Sequence, residues 1–156
     1  GSEMCIRDSL LREEMQEFIL DKLQLLIERK LIKGIGENGT EYTVIAQILD
    51  LPKEILRLIQ KFDFTKKNPK LIYINTGETM ISLQDSILVT FLNLAGFDIL
   101  FFVPTGYQSV ENYFAEKLME EHQIGEYKYD MQVPDLNNIS TNSTRPSWRR
   151  KLFRRG

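Results

Sequence analysis

Two short runs of β-forming residues, KLIYIN at 70–75 and DILFFVP at 98–104, stand either side of a 22-residue stretch with helical apolar spacing. That alternation constrains the chain more than any other feature in it. The second run is apolar at five consecutive positions, 99–103. Near-continuous apolarity predicts a strand covered on both faces, as in a parallel sheet. Parallel neighbours need a crossover, and the intervening residues supply one. Ser82 is placed as its N-cap, with Asp85 three residues on in the acidic position of a capping box. Ile87, Leu88, Phe91, Leu92, Leu94 and Ala95 make an apolar face, and Gly96 stops the helix. After the second strand, TGYQSVENYFAEKLMEEH carries Val110, Phe114 and Leu118 at i, i+4 and i+8, which predicts another helix. The expected fold class is α/β: an N-terminal helical segment over 10–63, then a Rossmann-like βαβα half with a short parallel sheet over 64–136.

This architecture localises a site, because ligands of parallel sheets bind outside the carboxyl ends of the strands. Both ends carry the same dipeptide, Thr76-Gly77 and Thr105-Gly106. Glycine lets a backbone approach a ligand closely, and threonine adds a hydroxyl beside free helix N–H groups. With Asn75, Glu78, Tyr107, Gln108, Ser109 and Glu111 they form a polar rim suited to an anion, a nucleotide or a sugar-nucleotide. Thr-Gly is also ordinary turn and capping chemistry after a strand. Glu78 and Glu111 are the acid/base candidates, although glutamates also occupy first helical turns for dipole reasons. His122 is the single histidine and has no second ligand at metal spacing, so no metal site is expected. Cys5 lacks a partner for nucleophilic catalysis. No motif identifies a cofactor.

In the N-terminal piece Leu11, Met15, Phe18, Ile19, Leu23, Leu26 and Ile27 recur at helical spacing. Ser9 is the expected N-cap and Lys33 the expected end, before Gly34. GIGENGT at 34–40 has the letters of a dinucleotide fingerprint, but an amphipathic helix precedes it where a buried strand is needed. Asn38-Gly39 reads instead as a tight turn. Residues 43–62 have helix-turn-helix spacing, with Ile45, Ala46, Leu49, Leu51, Leu56 and Ile59 in the seam. A DNA-binding reading would set Lys53, Glu54 and Arg57 at the major groove. Glu54 opposes it, and a plain helical hairpin has the same spacing.

The formal charge of −2 divides unevenly. Residues 145–156 carry six Lys or Arg and no acid, leaving 14 basic against 22 acidic residues elsewhere. An acidic body does not hold nucleic acid by phosphate neutralisation alone. The tail over 137–156 begins polar and turn-rich, which predicts a flexible linker. It ends in WRRKLFRRG, where Trp148, Arg149, Arg150, Lys151, Arg154 and Arg155 could meet anionic lipid, an acidic partner or the acidic body itself. No apolar run approaches the roughly 20 residues that cross a bilayer. The lone cysteine suits a reducing, cytoplasmic setting.

Residues 62–114, with the words FDFT, PKLIYI and FDILFFVPTGYQSVENYF, resemble the Firmicute YceG-like family. The likeness extends back to EYTVIAQILDL and forward to YDMQVPDL. The family is described as a component of a biosynthetic module, encoded beside tellurite-resistance and TerD-type stress genes. The resemblance implies a cytoplasmic bacterial stress protein, tellurite-resistance and stress proteins as partners, and no assigned reaction. Family members are several times longer, so a C-terminal fragment is expected. EMCIRDS resembles a translated sequencing-adapter remnant, which makes 1–9 a non-native leader.

Overall fold

The computed structural model of the chain describes residues 2–61 and 65–134, with side chains from residue 13 onward. The elements are α1 (Ser2–Glu28), α2 (Thr40–Leu49), α3 (Lys53–Lys61), β1 (Lys70–Ile74), α4 (Leu83–Leu94) and β2 (Asp98–Phe102). β1 and β2 pair in parallel, from Lys70 opposite Asp98 to Ile74 opposite Phe102. α4 is the crossover between them.

α4 is buried around most of its circumference, because α1 and α2 pack on one side and the sheet on the other. Ile87, Phe91 and Leu92 of α4 join Leu26, Val44 and Ile48 in one core, which also takes in Phe97 and Phe114. Fully burying side chains of this size stabilises by about 1.5–3 kcal/mol each before chain entropy is counted. Two buried hydroxyls lie within this helix. Ser86 and Thr90 donate to the carbonyls of Ser82 and Ser86, 2.8 Å each, so neither is left unsatisfied.

α1 packs its expected stripe, from Met15 to Ile27, against the core. Its ends differ from expectation. Ser9 lies inside the helix rather than capping it, and the helix stops at Glu28, well short of Lys33. Lys30 takes a left-handed backbone (φ 51°), which turns Leu31 and Ile32 into the core. Gly34 (φ 92°) then sits in a turn where any Cβ would collide with the side chains of Asn38 and Thr40. The helices α2 and α3 occupy the expected stretches, but α2 does not pack chiefly on α3 as a helical hairpin would. The buried residues also differ from the expected seam: Val44, Ile48, Leu51 and Ile59 are buried while Ala46 and Leu49 face solvent. The cause is that α2 packs on α1 and α4, so those helices select its buried stripe.

Two linked corrections concern the sheet. The helix expected after β2 is absent among the described residues, so the βαβα half is not completed. The architecture is a mixed helical and two-stranded parallel-sheet fold. Residues 103–134 run instead as an irregular strap. Lys33 N donates to Tyr113 O and Ala115 N to Leu31 O, both 2.9 Å, with an antiparallel bridge between Ile32 and Phe114. Phe114 is buried by pairing across to the end of α1, and this non-local contact outcompetes the local helical period. The strands are also covered on one face only. Leu71, Tyr73, Ile99 and Phe101 pack towards the core, whereas Ile72, Ile74, Leu100 and Phe102 are exposed. No helix among the described residues is long and apolar enough to cross a membrane.

Candidate functional site at the carboxyl ends of the strands

β1 ends at Ile74, and the next residue ties the region together. The Asn75 amide donates to Thr79 O and to Ser109 Oγ, both at 2.9 Å, while its Oδ1 accepts from Gly77 N at 3.2 Å. One side chain thus closes the Thr76-Gly77 turn and clamps it to the loop after β2. Ile81 N donates to Ser109 O in the same junction, at 2.9 Å. Thr105 is buried, and its Oγ1 accepts from Tyr107 N at 3.3 Å. Both Thr-Gly turns therefore direct polar groups into their own loops.

A cleft of about 270 Å³ opens beside this junction, between the core-side face of the sheet and the start of α4. Tyr73, Asn75, Thr79, Ser82, Asp85 and Phe101 line it, with Met80 and Val110 at its apolar wall. The Tyr73 and Phe101 rings stack with centroids 5.1 Å apart. Ser82 and Asp85 form the expected cap: Asp85 N donates to Ser82 Oγ at 3.0 Å, and the hydroxyl donates back to Asp85 Oδ2 at 2.9 Å. Burial, helped by the Asp85 charge, raises the Tyr73 phenol above its ordinary pKa. Tyr73 is therefore a neutral hydrogen-bond donor beside an acceptor-only carboxylate. Asp85 is the single charged residue of the lining, which contains no Lys or Arg. The cleft is thus chemically suited to hydroxyl and ring recognition, and poorly suited to holding phosphate by charge.

Of the sequence-expected ligand residues, Asn75 lines this cleft, while Thr76, Gly77, Thr105, Gly106, Tyr107 and Ser109 do not. Ser109 supports it from below through Asn75. Gly106 (φ 68°) is covered by the Tyr127 ring, which lies where a Cβ would project. Neither acid/base candidate reaches the cleft. Glu78 is exposed, and Glu111 Oε1 is shielded from solvent with no hydrogen-bond partner among the described residues. Sequence reasoning assigned Asp85 to capping alone and Tyr73 to a strand interior. The signal for both was their place near the carboxyl end of β1.

Elsewhere, Lys53, Glu54 and Arg57 are exposed on α3. His122 sits in solvent, 3.6 Å from Glu120. No group of three or more His, Cys, Asp or Glu converges on a metal position among the described residues. The tail candidates Trp148, Arg149, Arg150, Lys151, Arg154 and Arg155 lie outside the described residues.

Comparison with known proteins places this geometry in a family. The YceG domain matches residues 5–144. The chain is 31% identical over 93 residues to the uncharacterized protein YceG of Bacillus subtilis (strain 168). That match covers 58% of this chain and 17% of the Bacillus protein. No solved structure matches. The chain belongs to the YceG domain family.

Proposed function

We propose that this chain is part of a longer bacterial protein that binds a nucleotide or sugar-nucleotide at the carboxyl ends of β1 and β2. The cleft holds the base or sugar, and any phosphate lies outside it. The observation that carries this reading is that the Tyr73 phenol and the Asp85 carboxylate line one cleft, with the Tyr73 and Phe101 rings stacked in its wall. A carboxylate accepts from a sugar diol and a ring stacks on an apolar wall, whereas a phosphate would be repelled by Asp85. The wider role belongs to the same proposal: a cytoplasmic component of a stress-linked, tellurite-associated biosynthetic module. A group-transfer step in that module would draw on reacting groups from other parts of the longer protein, because the Ser82 hydroxyl and the Asp85 carboxylate of the cleft are engaged with each other in capping α4.

The test is a thermal-shift comparison of a nucleoside, a sugar-nucleotide and inorganic phosphate. A ligand present at a hundred times its Kd stabilises the fold by about 2.7 kcal/mol. The nucleoside and sugar-nucleotide are expected to raise Tm, phosphate is not, and Asp85→Asn is expected to abolish the shift. A shift from phosphate alone, or one indifferent to Asp85, would overturn the reading.

A further inference from the structure

Part of the cleft wall belongs to an element with no helix or strand of its own. Val110 lines the cleft, and it sits on the strap beside the fully buried Ser109. The Ser109 carbonyl accepts from Ile81 N, and its hydroxyl accepts from the Asn75 side-chain amide, both at 2.9 Å. Asn75 and Ile81 line the cleft as well. Three lining residues therefore depend on where two strap residues lie.

A few residues further on, the strap is seated at the end of α1. Lys33 holds it twice: Nζ donates to Asn112 O and N donates to Tyr113 O, both at 2.9 Å. Ala115 N donates to Leu31 O at 2.9 Å, and Phe114 is buried at its bridge to Ile32. None of these anchoring residues lines the cleft. A turn from Phe114 N to Glu111 O, 3.3 Å, joins the anchor to the cleft-side residues. Beyond Ala115 the strap is exposed at every described position except Met119. The bond from Lys128 N to Pro104 O lies within the strap itself, so its hold on the body is concentrated at 109–115.

Glu111, between the two sets of contacts, opposes seating. Its Oε1 is shielded from solvent with no hydrogen-bond partner among the described residues. An acceptor so placed has lost water and gained nothing in return, a burial that release of the strap relieves. A segment with few regular backbone bonds and such a cost belongs to the low-stability end of a fold, where local opening precedes global unfolding.

We infer that residues 109–115 form a latch that seats and releases as a unit, and that the cleft is complete only while Ile32 and Lys33 hold the latch. Release removes the Val110 wall and takes Ser109 away from Asn75 and Ile81. An occupant of the cleft binds the seated form, so it stabilises seating. A weakened anchor lowers its apparent affinity in proportion to the seated fraction, although no anchoring residue touches it. That consequence rests on the reading of the cleft as a ligand site, whereas the latch itself does not.

Amide hydrogen exchange of the whole chain, followed by NMR, tests the latch without a ligand. The amides of Lys33, Ile81 and Ala115 all bond across the seat, so they should share one opening, with protection severalfold below that of the α4 interior. Lys33→Met keeps the stem and removes the Nζ bond. It should speed exchange at Ile81 and Ala115 by the same severalfold factor and leave the α4 interior unmoved. Glu111→Met removes the orphaned acceptor and should slow both amides by a common factor. A change at Ala115 with Ile81 unmoved would overturn the inference, because the two ends would then open separately. Equal protection of these amides and the α4 interior in the unaltered protein would also overturn it, because the strap would then leave only with the whole fold. Uridine at a hundred times its Kd should raise Ala115 protection about a hundredfold. Saturable binding that leaves Ala115 unchanged would overturn the coupling. An absence of binding would count against the ligand reading alone, with the exchange pattern still deciding the latch.

Discussion

The Asn75 amide donates to the Ser109 hydroxyl across 2.9 Å and 34 residues of chain. This bond joins the loop after β1 to the loop after β2, and it fixes the floor of the cleft. Asn75→Leu removes three hydrogen bonds at once and leaves the buried Ser109 hydroxyl with one partner fewer. The expected loss is about 1–3 kcal/mol, read from the urea midpoint. Ser109→Ala should cost less, about 1 kcal/mol. The double substitution should fall short of the sum, because the two residues share one interaction.

Two glycines that look alike in sequence should behave differently. Gly106 has φ 68° with the Tyr127 ring against it, whereas Gly77 has an ordinary backbone and open space to 3.5 Å. Gly106→Ala is expected to destabilise by about 1–2 kcal/mol from the left-handed backbone alone, with displacement of Tyr127 in addition. Gly77→Ala should stay within about 0.5 kcal/mol of the parent. Chemical denaturation of both variants checks the pair.

The raised pKa of Tyr73 gives a pH signature. Its first cause is burial and its second is the charge of Asp85. Below the ordinary tyrosine pKa, folded and unfolded chains both keep the proton, and the contribution to stability is fully present. As pH rises, the unfolded chain ionises first, so stability falls until Tyr73 ionises within the fold. Phenolate absorbance should show a late-titrating component that disappears in Tyr73→Phe. In Asp85→Asn it should titrate earlier, though still later than an ordinary tyrosine, because burial remains.

Phe114 anchors the strap to the end of α1 through the bridge to Ile32. Phe114→Ala is expected to cost about 3–5 kcal/mol. Because residues 113–115 carry the strap's hydrogen bonds to 31–33, limited proteolysis should cut first within the strap. Cleavage first at α4 instead would contradict the strap's role.

What was legible in the sequence was local. The strand–helix–strand order, the Ser82–Asp85 cap and the stripe from Met15 to Ile27 all follow from period and capping chemistry within a few residues. What was hidden depended on distant partners. Val110, Phe114 and Leu118 have a helical period, yet Phe114 is buried against Ile32, far back in the chain. The apolar run in β2 predicted two covered faces, but no local pattern tells a strand whether a second layer exists. In the site, Asn75 was legible because it follows the strand directly. Asp85 was read as a cap, and only its approach to Tyr73 adds the second role.

The measurement that bears most directly on the strand-end cleft is an amide NMR titration of the whole chain with uridine and with UDP-glucose. The account predicts saturable shifts for residues 79–85 and for Tyr73 and Asn75, common to both ligands and lost in Asp85→Asn. No saturable shift with either ligand, or shifts centred on Gly106 and Tyr107 instead, would contradict it.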